Sequence, residues 1–270
     1  MKIKKLTALF MGAMLLAGCG SGSGKSGDKA KETAAGTSAA ETAAVTEEPE
    51  PIVPKVIEYD PEKPVIALTF DDGPNTTITP RVLDLLEEYN AAATFFLIGD
   101  NINEESAESV RRAYAMGCEI ENHSKTHSYM NKMEAEDIVA EVNETNEKII
   151  AITGVEPKFF RPPYFAVNDV MYDNIDMTFI SGLGVDDWNS KVTVEKRIDG
   201  VMGLAQDGVI ILLHDVDGNY QTIEALETII PKLQEEGYQL VTLEQLFEAK
   251  GKSPSDEEFR YKLISLVDEY

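Results

Sequence analysis

Two of the three histidines, His123 and His127, stand four residues apart. On a helix that spacing would put both imidazoles on one face, where they could hold a zinc or similar ion. The third, His214, is followed directly by Asp215. Two imidazoles and one carboxylate would make a three-ligand site with a position left open for water. The adjacent acids Asp71 and Asp72 offer two candidates. Neighbouring residues at a strand end point in different directions, so one acid can ligate the ion while the other acts on the water. The plainer reading of the pair is a polar turn at a helix entry. Arg161 would be costly to bury alone, so it is expected to pair with a carboxylate, in a structural salt bridge if nothing more. Trp188 is the only tryptophan, and packing in the core is its default role.

Elements that could carry these groups follow from the hydrophobic pattern. Short apolar, β-prone runs fall at 65–70, 94–98, 118–121, 158–161, 177–180, 209–213 and Gln239–Val241. Helical patterns lie near 80–89, 104–116, 134–152, 194–205, 220–236 and Leu243–Ala249. Boundary residues agree. Thr79 is expected as an N-cap with Pro80 at the first helical position. Gly117, Gly154, Gly208 and Gly237 sit just past helix ends. Thr242 and Gln245 read as a capping box. Seven β/α units predict an α/β fold, a distorted (β/α)7 parallel barrel less regular than the eight-unit form. Asp71-Asp72, His123, Arg161 and His214-Asp215 each end a predicted strand, and Asp187-Trp188 lies a few residues beyond another. Strand C-terminal ends share one face of such a barrel, the face on which active sites are built.

In the order and spacing of these residues the chain resembles the polysaccharide deacetylases of carbohydrate esterase family four, over roughly residues 65–249. Thr69-Phe70-Asp71-Asp72-Gly73-Pro74 is similar to the family's first motif, and His123-Ser124-Lys125-Thr126-His127 to its second. Arg161-Pro162-Pro163-Tyr164 is similar to the third, Asp187-Trp188 to the core of the fourth, and Leu212-Leu213-His214 to the fifth. The resemblance implies a distorted barrel and one divalent metal, usually zinc, bound by Asp72, His123 and His127. It implies Asp71 as general base, tethered by Arg161, and His214 as general acid, oriented by Asp187. It implies that the Tyr164 backbone N–H helps hold the oxyanion, and that Trp188 and Leu212 shape an acetyl pocket. Four positions depart from the family pattern. Gly184 stands where an acid is usual, Phe165 where a small residue is usual, and Ser181-Gly182 where bulkier residues are common. These bear on the groove and on the substrate, not on the proposed ligands.

The surrounding chain supplies an address. Lys2, Lys4 and Lys5 precede an apolar run, 6–16, too short to span a bilayer comfortably, which ends in Leu16-Ala17-Gly18-Cys19. This resembles a bacterial lipobox, with an ordinary secretory signal as the alternative. It divides the chain into a lipoprotein signal peptide at 1–18, a lipidated Cys19 with a flexible linker to 55, and the deacetylase domain at 56–270. The linker is rich in Gly, Ser, Ala, Thr, Lys, Glu and Pro and lacks hydrophobic periodicity. The expected location is extracytoplasmic, anchored to the bacterial membrane through lipid on Cys19. A net charge of −24 disfavours nucleic acid as a partner, and no obligate protein partner is evident. Cys118, the other cysteine, is expected to be a buried apolar residue. The expected activity is removal of acetyl groups from an N-acetylated polysaccharide, with the N-acetylglucosamine of peptidoglycan or a chitin-like glycan preferred. The alternatives are an O-acetyl (xylan) esterase, an inactive carbohydrate-binding lipoprotein, and a two-lobed solute-binding lipoprotein.

Overall fold

The computed structural model describes residues 51–267. The expected signal peptide, Cys19 and the linker as far as residue 50 lie outside the described residues. The elements alternate as the hydrophobic pattern requires. They are β1 (Val65–Asp71), α1 (Thr79–Glu88), β2 (Thr94–Leu97), α2 (Ala107–Ala115), β3 (Glu119–Asn122), α3 (Ala135–Thr153), β4 (Phe159–Phe160), α4 (Asp169–Asn174), β5 (Thr178–Phe179), β6 (Leu183–Gly184), α5 (Val194–Leu204), β7 (Ile210–His214), α6 (Tyr220–Glu235), β8 (Gln239–Val241) and α7 (Leu243–Ala249).

All named strand pairings are parallel, in the order β5-β4-β3-β2-β1-β7-β6. β8 adds to β1 at Val65–Ala67, below the Thr69–Asp71 segment that pairs with β2. The sheet curls without closing, since no pairing joins β5 to β6 among the described residues. Residues from the far end of the described chain bridge that seam, Ile264 to Ile180 and Leu266 to Val209. The result is the distorted (β/α)7 barrel the pattern predicts.

β1 shows why the fold reads so clearly. All seven of its residues are buried, because a parallel strand is covered on both faces. Ile66, Leu68 and Phe70 pack in the layer beneath the helices. Val65 and Ala67 pack in the barrel interior with Phe96, Phe159, Ile180, Ile210 and Phe247. Asp71 continues the inward-facing alternation of Val65, Ala67 and Thr69, which brings its carboxylate to the upper end of the interior.

Some local expectations change. Thr79 is the first residue of α1, not its cap; Ile78 holds the cap position and offers no side-chain bond. The Oδ1 of Asn75 accepts from Ile78 N at 2.7 Å instead, while the Thr79 hydroxyl donates to Asp215 Oδ2 at 2.5 Å. The capping box forms at α7 through Thr242 and Gln245. Gly154 caps α3 in the left-handed conformation, φ 74°. Two-residue β6 and six-residue α4 carry too little periodicity to be read from sequence. Cys118 is buried, and burial pushes its thiol up to about 12.

Candidate active site

A cavity of about 560 Å³ opens at the C-terminal ends of the strands and is lined by Asp71, Asp72, His123, His127, Tyr164, Trp188, Leu212 and His214, among others. Nine of the ten residues singled out from sequence border this one depression: these eight and Asp187. The tenth, Arg161, lies fully buried beneath, bonded to Asp71.

Asp72, His123 and His127 present one ligand atom each, all within 4.8 Å of one another. Asp72 Oδ1 lies 3.6 Å from His123 Nε2 and 3.4 Å from His127 Nε2. Tetrahedral coordination with bonds of roughly 2.0–2.2 Å separates neighbouring ligands by about 3.3–3.6 Å. Asp72 Oδ1 is buried and has no hydrogen-bond partner, as fits an oxygen meant for a cation. The residues fit a divalent ion of the zinc type.

The geometry that achieves this is not the helix the H-x-x-x-H spacing invites. His123 to His127 is a loop, with Ser124 at φ 68° and His127 at φ 57°. The two rings meet because the backbone reverses between them, with centroids 4.9 Å apart. Glu141, on α3, holds that loop by accepting from Lys125 N at 3.0 Å, Thr126 N at 2.9 Å and the Thr126 hydroxyl at 2.8 Å. Asn122 Oδ1 accepts from Ser124 N at 2.7 Å. His123 Nδ1–H donates to the Arg161 carbonyl at 2.6 Å, which leaves Nε2 for the ion. Burial and the neighbouring His123 hold His127 below the usual imidazole range, despite opposing pulls from Asp72 and Asp71. It is therefore neutral, as a ligand must be.

Asp71 and Arg161 form the buried ion pair expected of them. Arg161 Nη1 donates to Asp71 Oδ1 at 2.5 Å, and Nη2 donates to the Ser181 carbonyl at 2.6 Å. The guanidinium also lies over Phe96, 4.0 Å from the ring centre. Burial would raise the Asp71 carboxyl, but the charges of Arg161, His123 and His214 outweigh it and hold the group below its usual range. Asp71 is an anion at neutral pH with Oδ2 turned toward the histidines, 3.6 Å from His123 Nε2.

His214 ends β7 and donates from Nδ1 to Asp187 Oδ1 at 2.7 Å. Asp187 is itself fixed on its other oxygen, by His214 N at 2.9 Å, Thr222 Oγ1 at 2.8 Å and Asn219 Nδ2 at 3.3 Å. Burial alone would lower the imidazole, but the hydrogen bond and charge of Asp187, with Asp71 and Asp72 behind, lift it to about 9. His214 is a proton donor whose orientation is set by its carboxylate.

Trp188 does not pack in the core; it is 59% exposed at the cavity rim. Gly182 and Gly184 lie against Leu212. A Cβ on Gly182 would come 2.9 Å from Leu212 Cβ, and one on Gly184 3.3 Å from Leu212 Cδ2. The departures from the family pattern thus let β6 approach Leu212 closely. Among the described residues, six of the eight non-glycine positions with positive φ lie in or beside this site: Asp72, Ser124, His127, Tyr164, Phe165 and Asp186. Such backbone costs of order 1–3 kcal/mol each and persists where the surroundings over-determine it.

Sequence reasoning did not find Glu141, Asn219, Thr222 or Arg197, the supporting shell. Arg197 is buried and donates to Asn219 Oδ1 and Thr222 Oγ1, each at 2.8 Å. Nothing in their spacing marks them, because they act from helices distant in sequence.

A family model described as polysaccharide deacetylase matches residues 58–179. A bifunctional xylanase/deacetylase of Pseudobutyrivibrio xylanivorans is 50% identical over 203 residues, covering 75% of this chain and 33% of that protein. A peptidoglycan-N-acetylmuramic acid deacetylase of Bacillus subtilis (strain 168) is 38% identical over 200 residues, 73% of this chain and 42% of that protein. The chain thus spans about a third to two-fifths of the length of these curated relatives. The crystal structure of the Xyl-CE4 domain of a multidomain xylanase, from the hindgut metagenome of Trinervitermes trinervoides, superposes with a TM-score of 0.74 at 46% identity. It covers 77% of this chain and 100% of that one.

Proposed function

Because this chain belongs to the polysaccharide deacetylase family, carbohydrate esterase family four, we propose that it hydrolyses acetyl groups from an N-acetylated polysaccharide. The observation that carries the reading is the pairing of an ionised buried acid, Asp71, with a protonated histidine, His214, beside an Asp–His–His ligand set. A binding module has no use for that combination.

A divalent cation held by Asp72, His123 and His127, zinc being our expectation, would polarise the acetyl carbonyl and lower the pKa of a coordinated water. Asp71 takes the proton of the attacking water, while Arg161 keeps the carboxylate aimed and ionised. The Tyr164 N–H, to which no acceptor is assigned among the described residues, is available to the oxyanion. His214 then protonates the departing nitrogen, a step that amide cleavage requires because an amide anion does not leave in water. Trp188 and Leu212 border the space for the acetyl methyl group.

The substrate we favour is the N-acetylglucosamine of peptidoglycan or a chitin-like glycan, in line with a relative of Listeria monocytogenes, 34% identical, that is named a peptidoglycan-N-acetylglucosamine deacetylase. A second reading, acetylated xylan, is supported by the higher identity to two xylanase-associated domains. Incubating the protein with peptidoglycan, chitin oligomers and acetylxylan and measuring released acetate separates them. Release from none of the three would overturn the enzymatic reading. We further propose that lipid on Cys19 anchors the protein outside the cytoplasm. Cys19→Ala should shift it from membranes to the soluble fraction or leave an unprocessed precursor, and unchanged retention would refute the anchor.

A further inference from the structure

Tyr164 adopts φ 59°, ψ 12°, and Phe165 follows at φ 54°. Two successive bulky residues in the left-handed region form an unfavourable turn. The turn's own bonds, Phe165 N to Pro162 O at 3.0 Å and Ala166 N to Pro163 O at 3.1 Å, are short-range. Something outside the turn has to hold it.

The outside contact is a stack of side chains. The Tyr164 ring lies against Tyr129, with centroids 4.1 Å apart and planes inclined by 15°. His127 meets it edge-on, with centroids 4.6 Å apart. The ammonium of Lys132 sits 4.2 Å from the Tyr129 ring centre. Tyr129 is well placed to act as the fixed member. It opens a 3₁₀ turn, Met130–Lys132, in which Met130 is buried and packs with Phe160 and Met171. Asn168 Nδ2 donates to the Asn131 carbonyl at 3.0 Å and ties the turn to the start of α4. Tyr129 itself is 46% exposed, so its ring adds little to the core.

We propose that Tyr129 is a positioning residue for deacetylation: its stack on Tyr164 holds the left-handed turn that aims the Tyr164 N–H at the oxyanion. The proposal rests on the deacetylase reading above. With one ring face against Tyr164 and Lys132 above the ring, Tyr129 acts through Tyr164, not by stacking on sugar.

The test uses wild-type protein loaded with zinc and whichever of the three acetylated polymers it turns over. Absence of turnover by the wild type refutes the enzymatic reading and is read before any variant is made. Tyr129→Ala should lower kcat by about tenfold, below the roughly 10²–10³-fold cost of losing an oxyanion donor outright. KM should stay within about twofold, and zinc content should equal that of the wild type. Tyr129→Phe keeps the stack and should retain most of the activity. Lys132→Ala, which keeps both rings, should fall between the two. A rise in KM at constant kcat would mean that Tyr129 contacts substrate, and would overturn the proposal. So would a loss of zinc matching the loss of kcat, equal damage from Tyr129→Phe, or wild-type kinetics in Tyr129→Ala. Should Tyr129→Ala fail to fold, Lys132→Ala and Tyr129→Phe carry the same test.

Discussion

Asp71 and His214 are register partners on adjacent parallel strands. The proposed base and the proposed acid are therefore spaced by backbone hydrogen bonding within the sheet, and no loop has to be ordered to bring them together. Neighbouring strands lie about 4.8 Å apart, and register partners point to the same face of the sheet, so both side chains reach the same cavity. This argues for a rigid spacing between Asp71 and His214.

Removing either member of that pair should cost rate without emptying the ligand set. Asp71→Asn and His214→Ala are each expected to lower kcat by about 10²–10⁴-fold, with divalent-ion content unchanged. The amide oxygen introduced by Asp71→Asn can still accept from Arg161, so this variant should fold, at reduced stability because the buried guanidinium loses its counter-charge. Acetate release and elemental analysis on the same preparations check both halves. Near-normal amide deacetylation by His214→Ala would defeat the assignment of the acid.

Ion binding should depend on His127 and on pH. His127→Ala is expected to abolish stoichiometric ion content. In the wild type, affinity should decline below about pH 6.5 as imidazole protonation competes. Because burial and His123 depress the His127 pKa, that residue resists protonation to a lower pH than a free histidine would. Titration calorimetry with zinc at several pH values reads this directly, and a pH-independent affinity would contradict it.

The Asp187 carboxylate should set the basic limb of the rate profile. It is the main group raising His214, lifted to about 9 in the chain itself; the charge of a bound ion opposes that rise. Asp187→Asn should therefore move the basic limb to lower pH. The linked stability follows in sign. A histidine with a raised folded pKa contributes stability that is fully present below its ordinary value of about 6.5 and lost as pH climbs through about 9. Urea unfolding should accordingly show a larger cost of Asp187→Asn at pH 6 than at pH 9.5.

Asp215 gives the opposite slope. Burial, with Asp72 and Asp71 adding, raises this carboxyl to about 7, although the Thr79 hydroxyl partly offsets the rise. An acid with a raised folded pKa costs stability as pH rises from about 4 to 7, where it must ionise inside the protein. Asp215→Asn should therefore gain stability relative to wild type across that interval. Parallel pH dependences for the two proteins would show that the carboxyl is not neutral in the folded state.

What could be read in advance divides along physical lines. Strands such as β1, covered on both faces, leave unbroken apolar runs, and the acids and histidines that end them stand out by contrast. The clustering of Asp72, His123 and His127, and the pairings of Arg161 with Asp71 and of Asp187 with His214, were accordingly legible. The route by which His127 reaches the ion was not. Spacing of four invites a helix, and the reversed loop is held instead by Asn122 and by Glu141, which lies fourteen residues beyond His127. Trp188 defied its default because an exposed rim leaves no periodic signature. Asn219 and Thr222 were invisible for a related reason: a polar residue that supports another looks like any helix-start residue until the fold brings it there.

The bridging of the β5–β6 seam by Ile264 and Leu266 has a bearing on biosynthesis. Ile180 meets a residue 84 positions later in the chain, so its bridge is a long-range contact. On the ribosome, the β1–β5 portion emerges well before the residues that seal its open edge. During that interval β5 exposes backbone able to pair with a neighbouring chain. The edge therefore stays open to misassembly until Ile264 and Leu266 are free to reach it.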